Sequence, residues 1–149
     1  MRIVFNAPHA GPYDVVFSNF AACEVEYGGI AYPSVEHAYQ AQKTLDENER
    51  RSIAALETPG KAKKVGRHLQ LREDWQEVKC GIMRDLLMLK FSREPFKLAL
   101  RMTGEAEIVE DASAWNDRVW GLGRNGDGQN LLGKCLMEVR EAINREDGT

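Results

Sequence analysis

From Ser34 to the end of the chain, helix signals follow one another with almost no strand between them, and this succession restricts the fold most. Ser34 is a good N-cap for a helix running to about Leu45, and a second helix is predicted over Glu47 to Leu56. Thr58-Pro59 supplies an N-cap and first-turn proline for a third, through Val65 to about Leu69. Asp74 followed by Glu77 resembles a capping box. It opens a helix whose Trp75, Val78, Ile82, Leu86 and Leu89 recur every three or four residues. Pro95 starts a short helix that Gly104 can close. In the last helix, Leu131 to Ile143, the residues Leu132, Cys135, Leu136, Val139 and Ile143 face the core.

Strand signals are few. Residues 1–33 read as strands and turns, with Asp14-Val15-Val16-Phe17 a short strand candidate. Cys23 to Tyr27 and Ile30 to Tyr32 flank Gly28-Gly29, a pair suited to a two-residue hairpin turn in which both central residues have positive φ. Ile108-Val109 is a further strand candidate. Because strands do not alternate with helices, the pattern excludes a doubly wound α/β sheet. The expectation is α+β: a mainly helical single domain over residues 1–149, with a small antiparallel sheet near the N-terminus.

A net charge of −3 argues against coating nucleic acid by bulk electrostatics, though a local basic patch can still read a small phosphorylated ligand. Cys23, Cys80 and Cys135 are odd in number and widely spaced, which argues against a disulfide framework and a zinc cluster and fits a reducing cytoplasm. Nothing at the start resembles a signal peptide, and no apolar run is long enough to span a membrane. The localisation expected is cytoplasmic, with no membrane partner.

Three segments carry polar chemistry. Within Pro33 to Lys43, helical spacing puts Glu36, Gln40 and Lys43 within roughly 60° of one another, with Ala38, Ala41 and Leu45 on the opposite face. The helix therefore presents a carboxylate, an amide and an amine together; a solvated helix face explains the same spacing. His37 by itself reads as structural. Ala114 to Asn130 mixes aromatic, acidic and glycine residues before the last helix, and Gly121, Gly123 and Gly126 spell G-x-G-x-x-G. The dinucleotide-fold reading fails, since no buried strand leads in and too little chain follows. Glycines there would let backbone approach a ligand, and the helix start would suit a phosphate; a surface loop with a buried tryptophan is the plain reading. Lys61, Lys63, Lys64 and Arg67, with His68 and Arg72 nearby, form a basic helix suited to phosphate or to solvent.

Taken in order, these segments resemble one family. Phe17-Ser18-Asn19-Phe20 looks like its F-S-N-F element, and Pro33 to Lys43 like its P-x-x-E-H-x-x-Q-A-Q-K helix. Asn116 to Gly121 looks like its N-D-x-x-W-G element. Asn130 to Gly133 with Leu136 to Arg140 looks like its closing N-x-L-G-x-x-L-M-x-x-R helix. Trp75 with Val78-Lys79 also fits. The family is the NADAR superfamily, with its YbiA-like branch the best match. The ordered set runs from about Phe17 to Arg140, while the loop between Gly121 and Gly128 looks particular to this chain.

The resemblance implies an N-glycosidase, a hydrolase that cleaves the bond between a ribose anomeric carbon and a nitrogen, with no cofactor and no metal. It implies a small phosphorylated ribose ligand, such as a ribosylaminopyrimidine phosphate of riboflavin biosynthesis. Alternatives are removal of ADP-ribose from guanine, with nucleic acid entering only as an ADP-ribosylated substrate, and non-catalytic binding of ADP-ribose or NAD. Glu36, Lys43 and Asp117 are the catalytic candidates. Glu36 or Asp117 would serve as acid, base or electrostatic group, and the Lys43 amine would form a Schiff base with C1 if burial or cationic neighbours lower its pKa. Substrate-binding candidates are Ser18, Asn19, Phe20, His37, Gln40, Asn116, Trp120, Gly121 and Asn130.

Overall fold

A computed structural model describes residues 1–9 and 11–148. Among them the elements run β1 (Arg2–Phe5), α1 (Asp14–Phe17), β2 (Val25–Tyr27), β3 (Ile30–Tyr32), α2 (Val35–Ala41) and α3 (Glu47–Ala54). They continue with α4 (Pro59–Gly66), α5 (Trp75–Phe91), α6 (Phe96–Arg101), β4 (Glu107–Glu110) and α7 (Leu131–Glu146). This is a mainly helical α+β chain. It forms two compact units, one of residues 19–90 and the other of residues 1–18 with 91–149.

The unit of residues 19–90 is organised by α2. The β2–β3 hairpin is antiparallel, and Gly28 and Gly29 turn it with φ of 58° and 82°. Tyr27 Oη ties the hairpin to α5 by donating to Asp85 Oδ2 over 2.7 Å. The expected caps are in place: Ser34 Oγ accepts from His37 N, Asp46 Oδ1 from Glu49 N, and Thr58 Oγ1 from Lys61 N. Asp74 differs, because its carboxylate takes the Arg72 guanidinium at 2.6 and 3.1 Å while its carbonyl accepts from Glu77 N and Val78 N. All seven residues of α2 are buried, between α3, α4 and the hairpin.

The first helix stops at Ala41, short of the predicted Leu45. Past Ala41 the amides turn to partners three residues back, Lys43 N to Gln40 O at 3.2 Å and Thr44 N to Ala41 O at 3.4 Å. Arg72 N takes Lys43 O at 2.8 Å, and Arg50 Nε takes Thr44 O at 2.9 Å. Leu45 therefore lies beyond the helix and is 67% exposed instead of facing the core. On α5 the predicted stripe holds at Trp75, Ile82 and Leu86, which are buried, but its edge is shifted. Met83, Leu86, Leu87 and Lys90 are buried, whereas Leu89 is exposed.

The other unit is built on a parallel pair, β1 with β4, in register Ile3 to Ile108 and Phe5 to Glu110. The hairpin was the sheet expected from sequence, and this second, non-local pair joins segments more than a hundred residues apart. Asp14–Phe17 is a helical turn and not a strand. Asp14 Oδ1 accepts from Asn6 N, and the Phe17 ring lies 5.9 Å from both Phe5 and Phe91. With β1 paired to β4, Val15 and Val16 gain no ladder, so their strand propensity is overridden by burial of Phe17.

Helix α7 lies against β4, with Leu132, Cys135, Leu136, Val139 and Ile143 all buried as the periodicity predicts. Its first cap is unusual. Asn130 adopts φ 53°, and its amide acts as a substitute strand: Oδ1 accepts from Glu110 N and Nδ2 donates to Ile108 O, each at 3.0 Å. Gly133 permits this approach, since a Cβ there would sit 2.1 Å from Ile108 O. Asn130→Ala strands two buried backbone groups on β4 and keeps the left-handed backbone. Urea denaturation should show a loss of roughly 2–4 kcal/mol.

Candidate active site

The sequence candidates fall into both units. In residues 19–90 two of them, Gln40 and Asn19, bond to Glu36. Its side chain is buried at 8% exposure on the first turn of α2, and its Oε2 accepts from Gln40 Nε2 at 2.7 Å. Its backbone N donates to Asn19 O at 3.1 Å, so the F-S-N-F turn is sewn to the helix start. Asn19 is buried, with Nδ2 donating to Met83 Sδ at 3.6 Å. Two oxygens here are buried without a hydrogen-bond partner, Asn19 Oδ1 and Gln40 Oε1.

Gln40 owes its position to a glycine. A Cβ on Gly66 of α4 would lie 1.9 Å from Gln40 Oε1 and 2.7 Å from Cδ, so a side chain at 66 would expel the amide. Lys43, one turn on and half-buried, places Nζ 5.8 Å from the Tyr39 ring centroid, and that ring leans on Trp75 at 5.2 Å. Burial pushes the Lys43 amine below its ordinary pKa. Glu36 pulls it back up, and Lys63 and Arg67 push it down again. Phe20 is 44% exposed, with Lys63 Nζ 5.9 Å from its ring centroid.

His37 is held at both ring nitrogens, with Nδ1 2.7 Å from Ser34 Oγ and Nε2 3.0 Å from Leu56 O. A carbonyl requires a donor, so Nε2 carries the proton and Nδ1 accepts the Ser34 hydroxyl. That arrangement locks the helix start and fits the structural reading of His37.

The remaining candidates belong to the other unit. Ser18 is buried just after α1, its backbone N bonded to Asp14 O. Asn116 to Asn130 form a loop closed on itself. Asp117 Oδ1 accepts from both Val119 N and Trp120 N at 2.9 Å, and Asn116 Oδ1 accepts from Arg124 N at 2.8 Å. Gly121 packs backbone on backbone, since a Cβ would meet Ala112 Cβ at 2.6 Å and Glu110 O at 2.9 Å. Gly128 does the same against Gly121 O. Trp120 is partly exposed, as is Trp115.

The expected phosphate seat at the start of α7 is occupied by the protein. Leu131 N donates to Val119 O at 3.1 Å and Leu132 N to Trp120 O at 3.0 Å. Gly121 and Gly128 pack tightly within that closure, whereas a Cβ on Gly126 would meet nothing within 4 Å.

Sequence reasoning missed Gly66 and Lys90. Gly66 has no sequence signal, because its role exists only in the contact between α4 and α2. Lys90 is fully buried, and burial lowers its amine to about 8, partly offset by Cys23. The spacing Ile82, Leu86, Lys90 could have revealed that it sits on the buried stripe. Among the described residues no cluster of three His, Cys, Asp or Glu is placed to hold a metal, and no helix is long and apolar enough to cross a membrane.

The NADAR domain profile matches residues 4–144. The chain belongs to the NADAR family. It is 42% identical to the N-glycosidase YbiA of Escherichia coli over 130 residues, 85% of this chain and 80% of that protein. An N-glycosidase of Nostoc punctiforme is 39% identical, with coverage of 85% and 84%. A riboflavin biosynthesis protein of Vibrio vulnificus is 35% identical over 85% of this chain but only 35% of its own length. The NMR structure of E. coli YbiA superposes with a TM-score of 0.86 at 38% identity, covering 99% of this chain and 87% of that one.

The Lys43 environment has a measurable signature. Followed by carbon-13 NMR of Cε, Lys43 should titrate below the ordinary lysine value. Glu36→Gln should lower its midpoint further, and Lys63→Met should raise it. Because the folded value is depressed, the contribution of Lys43 to stability should rise as pH climbs from that value towards the ordinary one.

Proposed function

We propose that this NADAR enzyme hydrolyses the C1′–N bond of a phosphorylated N-riboside, with ribosylaminopyrimidine phosphates of riboflavin biosynthesis as the substrate class. Its class, a hydrolase of N-glycosyl bonds, follows from family membership and from relatives named N-glycosidases at 39–42% identity. The riboflavin assignment draws on the name of the V. vulnificus relative. The observation that carries the reading is the buried Glu36 carboxylate on the first turn of α2, held by Gln40, together with the Lys43 amine just past the far end of that helix, which burial has made easier to deprotonate and which feels the Glu36 charge.

In the proposed sequence the neutral Lys43 amine adds to C1 of the ring-opened sugar. The C1–N bond breaks, and the amine of the base leaves with a proton. Water then hydrolyses the imine on Lys43, releasing the aldehyde sugar and regenerating the lysine. Glu36 relays protons between the two nitrogens and the water. Gln40, bonded to the carboxylate, and Asn19, bonded to the Glu36 backbone, serve as sugar-hydroxyl partners, and Phe20 offers a ring face for stacking, worth on the order of 1–3 kcal/mol. His37 supports the helix start. Asp117 shapes the Trp120 loop through its two backbone bonds and is the candidate second carboxylate, with Ser18, Asn116, Trp120, Gly121 and Asn130 as further binding candidates.

The test is turnover of a ribosylaminopyrimidine phosphate with borohydride present. A sugar-sized mass adduct should appear on the peptide carrying Lys43. Glu36→Gln should lower kcat by roughly a hundredfold or more at a stability cost of about 1 kcal/mol. Lys43→Arg should be as inactive as Lys43→Ala. Asp117→Asn keeps an oxygen for the loop amides, so a large loss of kcat in it marks a charge role. An active Lys43→Arg without adduct rejects the covalent route, and absence of free base from every ribosylaminopyrimidine phosphate rejects the substrate class.

A further inference from the structure

A phosphorylated substrate needs a cationic seat, and the seat suggested by sequence at the start of α7 is filled by the carbonyls of Val119 and Trp120. The basic face of α4 is different. Lys61 is already paired with Glu57 at 3.0 Å, on the solvent side. Gly66 brings α4 into backbone contact with the Gln40 side chain, close enough that a single added methyl would collide. Residues 63 and 67, four apart, flank that contact on one face of the helix. Lys63 reaches the Phe20 ring, and among the described residues no carboxylate pairs with Arg67. Lys63 and Arg67 are also near enough to Lys43 to act on its charge, as is Glu36, which already accepts from Gln40. Three cations and one carboxylate leave a local excess of positive charge that a bound anion would offset.

We propose that Arg67 and Lys63 form an anion subsite beside Lys43 that takes the phosphate of the substrate's sugar, and that Gly66 is the spacer that brings them there. The inference rests on Glu36 and Lys43 marking the reaction centre. Arg67 supplies a planar two-pronged donor suited to a phosphate edge, and Lys63 a mobile point charge. Recognition on this face is then recognition of the phosphosugar, and the leaving base contributes less to affinity.

The experiment titrates the full chain with ribose 5-phosphate, inorganic phosphate and ribose, reading binding by calorimetry and by the Lys43 Cε resonance. Ribose 5-phosphate should bind more tightly than inorganic phosphate, and ribose far more weakly than either. Lys63→Ala with Arg67→Ala should weaken ribose 5-phosphate by roughly tenfold or more while leaving ribose unchanged. The same pair should raise the Lys43 midpoint. Gly66→Ala keeps every charge but should weaken ribose 5-phosphate as well; if it fails to fold, the charge variants still decide. Unchanged ribose 5-phosphate affinity in the double variant overturns the subsite, and so does an equal loss in a Lys61→Ala, Lys64→Ala control. Glu36→Gln separates the two readings. If it retains turnover while the Arg67 and Lys63 variants lose ribose 5-phosphate, the catalytic assignment fails and the subsite stands.

Discussion

A helix buried on every side while carrying a carboxylate, an imidazole and an amide is the constraint from which residues 19–90 take their arrangement. Helix α2 leaves none of its seven residues exposed. A buried carboxylate is costly unless its oxygens are bonded, and Gln40 meets that need one turn along. Gln40 can do so because residue 66 has no side chain. His37 fastens the same turn by its two ring nitrogens, to Ser34 and to the Leu56 carbonyl that follows α3. Caps, glycine and histidine thus serve one end: holding a charged group in a place that water would otherwise occupy.

Such a helix departs from what stability alone would favour. A hydrophobic α2 would be the more stable choice, since buried polar groups rarely repay their desolvation. The orphaned Asn19 Oδ1 and Gln40 Oε1 and the depressed Lys43 amine are all departures from a stability optimum. They cluster in one neighbourhood, and perturbed groups gather this way at reaction centres. In the proposed reaction Glu36 and Lys43 would have to be fixed before substrate arrives, and burial would supply that fixity.

The other unit shows a different economy. Its loop from Asp111 to Asn130 is stabilised by side chains imitating backbone: Asn130 completes β4, Asp117 caps a turn, Asn116 receives Arg124 N. Glycines in that loop let carbonyls and backbone meet closely. The sequence pattern suits a phosphate-binding loop equally well, because both uses require residues without side chains.

The sequence by itself determined the helices with caps, the hairpin at Gly28-Gly29, the apolar face of α7 and the family, because caps, turn glycines and 3.6-residue periodicity are local properties. Local spacing also put Glu36 and Gln40 one turn apart on one face, whereas Lys43, expected on it, lies past the end of α2. Only the tertiary structure decided that this face is buried, that Asp14–Phe17 coils, that α2 ends at Ala41, and that β1 finds β4 across the length of the chain. It alone revealed Gly66 under Gln40 and Lys90 in the core of α5. Each of these depends on which distant atoms compete for a carbonyl, a cavity or a charge. A single chain read in order carries no distance between residues far apart in it.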